Sequence, residues 1–326
     1  DYKSSWSGMP YTLRIGRQQL DLGSERMVSS LDWENTSRVF DGVLLSMGST
    51  DDWTLDIFAT RAVAVRPSNF NDWEKTGNRY VDSDFHGLYY SNWKMLSNTR
   101  WDAYLFLRDQ DDIDDKVWTI GTRTESNWGL WDGSFEFAYQ TGDFGTGIGL
   151  PDLDHRAWML NLGFGYQPEW MANSRIGLAY SWATGDGNAL DSDHDTFDAT
   201  YPSTFDHYGQ MNFFSLQNMR NLELSYETPM LEKGTMRVAF HMFWIDEPDD
   251  DFLYDANLVP RRAAGVLGAD SDAGTEIDIT FQYPFWNDRV MMLVGYGHYF
   301  AGNYIDDTGV EDDDANYFFL QADLKF

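Results

Sequence analysis

The chain has 326 residues, no cysteine, and 53 acidic against 23 basic side chains, for a formal net charge of −30. Without thiols there is no disulfide scaffold, thiolate metal site or cysteine nucleophile. The acidic balance excludes a nucleic-acid partner, because a phosphate backbone calls for clustered Lys and Arg.

No run approaches the roughly 18 consecutive apolar residues of a membrane-spanning helix. The sequence does not begin with a basic, then apolar, then small-residue leader, so it reads as mature protein. Aromatic residues nevertheless make up 17% of it. A disordered acidic chain is poor in aromatics, whereas a sheet with one face in lipid and one in water is rich in them.

Period-2 alternation predicts strands at 11–20, 36–47, 52–63, 84–93, 99–108, 116–124, 130–141, 155–166, 174–183, 217–228, 233–245, 274–284, 287–299 and 315–326. That is about fourteen, each near the nine to eleven residues of a tilted membrane strand. Residues 1–6 read as the tail of an earlier strand. In 100–108, Trp101, Ala103, Leu105 and Leu107 alternate with Arg100, Asp102, Tyr104, Phe106 and Arg108. In 275–282, Ile277, Ile279 and Phe281 alternate with Glu276, Asp278, Thr280 and Gln282. A helix would show three- and four-residue spacing instead.

Short connections (48–52, 125–129, 167–173, 228–233, 283–288) alternate with long ones (21–35, 64–83, 142–154, 184–216, 246–274, 301–314). This is the parity of short periplasmic turns and longer outer loops. Trp53, Trp93, Trp101, Trp128, Trp170 and Trp286 fall by the short turns, and Trp118, Trp158, Trp182 and Trp244 near the long loops. Two such groups are expected where amphipathic rings meet the two water–lipid interfaces. The last strand alternates Phe318, Leu320, Ala322 and Leu324 and stops on Phe326. It resembles the assembly signal of outer-membrane barrels, which puts the short turns in the periplasm and the long loops outside the cell. The fold class expected is therefore all-β, a transmembrane antiparallel β-barrel occupying 1–326 as one domain in a Gram-negative outer membrane.

No catalytic constellation stands out. There is no G-x-S-x-G or H-E-x-x-H, and the six His are scattered, with no evident partner for His86, His241 or His298. The chain does not read as an enzyme, and nothing resembles a haem motif. Acids concentrate in the long loops, as in Asp111-Asp112-Ile113-Asp114-Asp115 and Glu311-Asp312-Asp313-Asp314. A solvated, repulsive rim accounts for them. A calcium site is the sharper reading for Asp186, Asn188, Asp191, Asp193 and Asp195, whose oxygen density suits that cation, although the closing Glu of a twelve-residue loop is missing.

Alternation turns Arg14, Arg100, Arg108, Arg123, Arg175 and Arg237 away from lipid. It does the same for Asp56, Asp102, Asp132, Glu136, Glu223, Glu227, Glu276, Asp278 and Asp323. A ladder of cross-strand salt bridges and a polar track for a solute both fit this mixed set.

Leu13-Arg14-Ile15-Gly16-Arg17-Gln18, Arg26, Asp32-Trp33-Glu34-Asn35 and Arg38-Val39-Phe40-Asp41-Gly42 resemble the opening of the alginate-export porin family. So do Thr184-Gly185-Asp186-Gly187, Thr196-Phe197-Asp198, Tyr201-Pro202 and Gln217-Asn218. Gly274-Thr275-Glu276-Ile277-Asp278, Gly295-Tyr296-Gly297-His298-Tyr299-Phe300-Ala301-Gly302 and the closing strand complete the likeness.

The resemblance implies a monomeric barrel of about sixteen to eighteen strands, with further strands before the Gly-Arg-Gln motif, that passes polysaccharide outward. The alginate exporter has an Arg-rich lumen, whereas the inward set here carries both signs. The expected function is a channel for saccharides or other small polar solutes. The alternative is a structural barrel that acts as scaffold or conduit in a larger envelope complex, with another envelope protein as partner. Lipid and lipopolysaccharide surround it in either case. Arg14 and Arg26 are the expected solute contacts. Arg38 with Asp41 is expected in a rim salt-bridge network, and Arg17 falls on the opposite parity unless a bulge at Gly16 re-aims it. The long loops 184–216 and 246–274 fold either inward as a plug or outward as a docking surface.

Overall fold

The computed structural model describes residues 1–33, 36–63, 83–110, 113–145, 152–171, 173–188, 190–249, 251–258, 260–262, 266–309 and 313–325. The motif residues Glu34 and Asn35, most of the connection 64–83, Asp111, Asp112, Glu311, Asp312 and the terminal Phe326 lie outside them.

The strands in chain order are β1 (Tyr2–Trp6), β2 (Met9–Gln18), β3 (Phe40–Ser49), β4 (Trp53–Ala62), β5 (Asp84–Leu96), β6 (Thr99–Gln110), β7 (Asp115–Asn127), β8 (Trp131–Phe144) and β9 (Leu153–Tyr166). Then come β10 (Arg175–Ala183), β11 (Asp193–His194), β12 (Met219–Met230), β13 (Gly234–Ile245), β14 (Leu253–Tyr254), β15 (Pro260–Arg262), β16 (Asp272–Phe285), β17 (Val290–Ala301) and β18 (Ala315–Leu324), with one short helix, α1 (Asn303–Thr308). Each long strand predicted from alternation is present, and the predicted tail at 1–6 is β1.

Among the described residues 16 strands form one sheet, in which β1 to β10 and then β12, β13, β16, β17 and β18 follow one another in chain order. The two-residue β11 runs parallel beside β9, and β14 pairs β15 separately. No helix among these residues is long and apolar enough to cross a membrane.

Tight turns make the meander possible. At the β1–β2 turn Ser7 and Gly8 both have positive φ, 52° and 84°, the backbone of a two-residue hairpin loop whose twist matches the strands. Asn98 does the same at the β5–β6 turn, with φ 55°.

The chain divides into two compact units. The first comprises Asp1–Ser126, Glu136–Met159 and Asn188–Ser203. In β7, Asp115, Val117, Thr119, Gly121 and Arg123 are buried, while Lys116, Trp118 and Ile120 are exposed, Ile120 by 60%. In β6, Asp102, Tyr104, Phe106, Arg108 and Gln110 are buried. Polar groups inside and aliphatic groups outside reverse the arrangement of a water-soluble sheet. It is stable where the outer face meets hydrocarbon.

The second unit comprises Asn127–Phe135, Leu160–Gly187 and Thr204–Phe326. It has the same inversion. His241, Glu276 and Asp278 are buried, and Leu224, Ile279, Phe318 and Leu320 are exposed.

Candidate functional site

In the first unit the polar face is organised around arginine. Arg123 and Arg100 both donate to Asp102, at 2.9 and 2.8 Å, and the Tyr89 hydroxyl donates to the same carboxylate at 2.8 Å. Arg123 also pairs with Glu125, and the Arg100 guanidinium lies 5.2 Å from the Trp93 ring centroid. Arg108, 2% exposed, pairs with Asp115 at 3.0 Å and Asp198 at 2.8 Å. Tyr104 donates to Glu136 at 3.1 Å and stacks on Phe106 at 4.8 Å.

Two loop segments lie on this face. Ser24 donates to Glu136 at 2.6 Å, and Arg26 approaches the same carboxylate at 3.9 Å. Gly23 sits where a Cβ would be 2.3 Å from the Tyr89 hydroxyl, so only glycine allows this approach. Val28 bridges to Tyr201 in parallel, with Ser29 N–H donating to Tyr201 O at 2.8 Å and Tyr201 N–H to Met27 O at 3.0 Å. The Tyr201 ring packs edge-on against Phe40 and Phe85, and its hydroxyl is 2.7 Å from Ser83. Burial pushes the Tyr201 hydroxyl up to about 12.

The far end of that segment is clasped by His155 and His194, whose Nδ1 atoms are 3.1 Å apart. Gln140 Oε1 accepts from Asp198 N–H, so it faces His155 Nε2 as an acceptor at 3.2 Å. Nε2 must then carry a proton, and in the neutral form of His155 the bare Nδ1 accepts from His194. Phe144 stacks on His194 at 3.5 Å.

In the second unit the polar face is acidic. Register sets Glu223, His241 and Glu276 side by side across β12, β13 and β16. Asp278 lies one position further along the same face. Arg237 donates to Glu223, and His241 Nε2 is 3.9 Å from Glu223 and 3.7 Å from Asp278. Glu276 and Asp278 of β16 hold the loop above them: Met211 N–H donates to Glu276 at 2.9 Å and Gln210 N–H to Asp278 at 3.3 Å. A Cβ on Gly209, whose φ is 84°, would come within 2.6 Å of the Glu276 carboxylate. Arg175 forms a bidentate pair with Asp132 at 2.6 and 2.8 Å.

Beside this cluster lies a cavity of about 580 Å³. Phe213, Phe214, Tyr299, Leu253 and Ile305 are its apolar lining residues, and Arg261, Arg262, Asp255, Asn257 and Asp313 its polar ones. Phe213 meets Tyr299 edge-on at 5.2 Å, and Arg261 pairs with Asp255 at 2.5 Å.

Several sequence expectations change. Asp41 pairs with Arg17 at 2.8 Å rather than with Arg38. No register shift intervenes at Gly16, so both residues share the outward face with Ile15 and Val43, and Asp41 does not belong to the inward set. Arg38 instead donates to Ser29 O and Pro202 O, over the Tyr201 ring. Arg14 makes an exposed pair with Asp1 at 2.8 Å. The loop acids are not uniformly solvated: Asp186, Asp198, Asp251 and Asp255 are buried.

Of the expected calcium set, Asp186 N–H donates to Asp251, Asn188 donates to Asp191, and Asp191 accepts from Asp193 N–H. Asp193 also lies 3.6 Å from Arg156. Among the described residues no group of three or more His, Asp or Glu is placed to hold a metal ion.

The neighbours of His241, Glu223 and Asp278, and the cavity went unseen in the sequence. The Phe213-Phe214 and Arg261-Arg262 doublets in otherwise polar loops were the available signals. Of the segment 184–216, Asp198 and Tyr201 meet Arg108 and Ser83 within the first unit, and Gln210 and Met211 meet Asp278 and Glu276 within the second.

A family model described as alginate export matches residues 1–319. Among solved structures, the chain is similar to Pseudomonas aeruginosa OpdK with vanillate, at 11% identity over 98% of this chain and 76% of that one, with a TM-score of 0.63. It is also similar to P. aeruginosa OccK2 (OpdF) in complex with glucuronate, at 14% identity, 98% and 78% coverage and a TM-score of 0.61. Acinetobacter baumannii OccAB4 matches at 14% identity, 98% and 74% coverage and a TM-score of 0.59. No curated protein sequence matches the chain. At such identities these structures establish the fold, that of outer-membrane β-barrel porins.

Proposed function

The chain belongs to the alginate export family of outer-membrane β-barrel channels, and from that premise we propose that it passes saccharides and other ring-shaped polar solutes, recognising them in the cavity of the second unit. The observation that carries this reading is the make-up of that cavity. Its aromatic lining residues suit the apolar face of a sugar or other flat ring. The same cavity is lined by the guanidinium groups of Arg261 and Arg262 and the oxygens of Asp255, Asn257 and Asp313. Its volume falls within the range of small-molecule sites, about 300–1,000 Å³.

The solved relatives held with glucuronate and vanillate are consistent with solutes of this size and shape. Arg14 and Arg26 are replaced as the leading solute contacts by Arg261 and Phe213. Arg14 is engaged by Asp1 at the surface and Arg26 lies beside Glu136.

The test is single-channel conductance with glucose and glucuronate added from the loop side. Wild-type channels should show concentration-dependent block by at least one. Phe213→Ala and Arg261→Ala should weaken that block by about tenfold each, the effect of losing roughly 1.4 kcal/mol of binding. Unblocked wild-type currents, or block unchanged in both variants, would remove the cavity from the transport path.

A further inference from the structure

The outward face of the first unit is ordered in rows, because cross-strand partners stay in register from β2 to β7. One row runs Leu13, Leu45, Ile57, Leu88, Leu105, Ile120. The next, toward the long connections, includes His86 and ends on Trp118. The one after that is Arg17, Asp41, Arg61, Asp84, Asp109, Lys116. Within three rows the same face passes from wholly aliphatic to wholly charged. We propose that this charged row is a binding site for the phosphorylated headgroup of the outer-leaflet glycolipid, with Arg17, Arg61 and Lys116 as the phosphate contacts.

Position gives the first argument. The row lies outside the aliphatic band, where Trp118 marks the interface, and at the strand ends that lead into long loops. The leaflet there meets the protein with its headgroups, not its acyl chains.

The second argument is that internal pairing does not exhaust the row. Three ion pairs form, Arg17–Asp41 at 2.8 Å, Arg61–Asp84 at 2.7 Å and Lys116–Asp109 at 3.0 Å. Arg17 commits only Nε and Nη2 to Asp41, and a guanidinium has five donors. Arg17 and Lys116 remain about half exposed.

The third argument is a conflict in the row. Asp84 stands directly opposite Asp109, and like charges in facing positions destabilise a sheet. Arg61 and Lys116 offset part of that repulsion, and the divalent counter-ions of a phosphate-rich headgroup layer bridge the remaining carboxylate charge to the phosphates that the three cations contact.

The experiment uses the full chain in detergent micelles. Native mass spectrometry compares bisphosphorylated lipid A with the dephosphorylated lipid of identical acylation. Wild type should bind the phosphorylated form about tenfold more tightly, a modest share of what several Lys or Arg contribute at an anionic surface. The triple variant Arg17→Ala, Arg61→Ala, Lys116→Ala should lose the preference. A second variant, Asp41→Asn, Asp84→Asn, Asp109→Asn, should retain or strengthen it, which guards against a mere folding defect. Equal wild-type binding of both lipids, or a preference that survives the cation-deleted variant, overturns the proposal. So does competition by inorganic phosphate alone, which would mark a site for free anions instead.

Discussion

The two units bury polar groups on the same kind of sheet and settle the charge in opposite ways. In the first, among the described residues, each buried carboxylate has a cation or a tyrosine: Asp102 in β6 takes Arg123, Arg100 and Tyr89, and Asp198 in a loop takes Arg108. In the second, Glu223 takes Arg237, His241 lies between Glu223 and Asp278, and Glu276 and Asp278 use loop backbone N–H groups as donors. Their outward rims differ as well. The charged row of the first unit has its counterpart in Trp182, Arg220 and Trp244, cross-strand neighbours in which Arg220 lies 5.0 Å from the Trp182 ring. Side-chain ion pairs make a rigid scaffold, and acids held by a loop's backbone make a site whose order depends on that loop.

The sharpest way to break this comparison is Arg108→Ala. It leaves Asp115 and Asp198 buried without their cation, which costs about 3–5 kcal/mol. Urea unfolding in detergent should show that loss, and wild-type stability would mean the first unit does not rest on its arginines. Glu276→Ala should do less to the fold and more to the loop. Losing a hydrogen bond to a charged acceptor costs about 1.5–3 kcal/mol. The Met211 amide should exchange hydrogen faster and the channel current should become noisier, while the unfolding midpoint falls less than in Arg108→Ala. The smallest effect belongs to Arg14→Ala. Its pair with Asp1 is exposed, and such pairs are worth about 0–1 kcal/mol. Stability and solute block should both stay near wild type; a strong loss of block would return Arg14 to the solute path.

The strands were legible in the sequence because a face in lipid and a face in water leave a period-2 signature in every strand, from Leu55-Asp56-Ile57 to Phe318-Phe319-Leu320. Parity also sent Arg108, Arg123, Glu276 and Asp278 inward. It could not say whom they meet. Arg108 finds Asp198 ninety residues on, in a loop that carries no periodicity. His241 finds Glu223 and Asp278 only because three strands come into register. Asp41 shows the limit from the other side: proximity in sequence suggested Arg38, and the β2–β3 register delivered Arg17. The cavity was invisible because its walls come from four separate loop and strand segments.

The strict meander has an evolutionary consequence. Since each long strand bonds to its neighbours in sequence, a hairpin can be gained or lost as one piece and the remaining pairs re-form around it. A single strand cannot be exchanged this way, because every later turn would emerge on the wrong side of the membrane. Divergence in this architecture should therefore proceed in steps of two strands. Relatives at 11–14% identity can then differ in length and still superimpose over 98% of this chain. Loops such as 184–216 lie outside the strand pairing and are free to change between those steps.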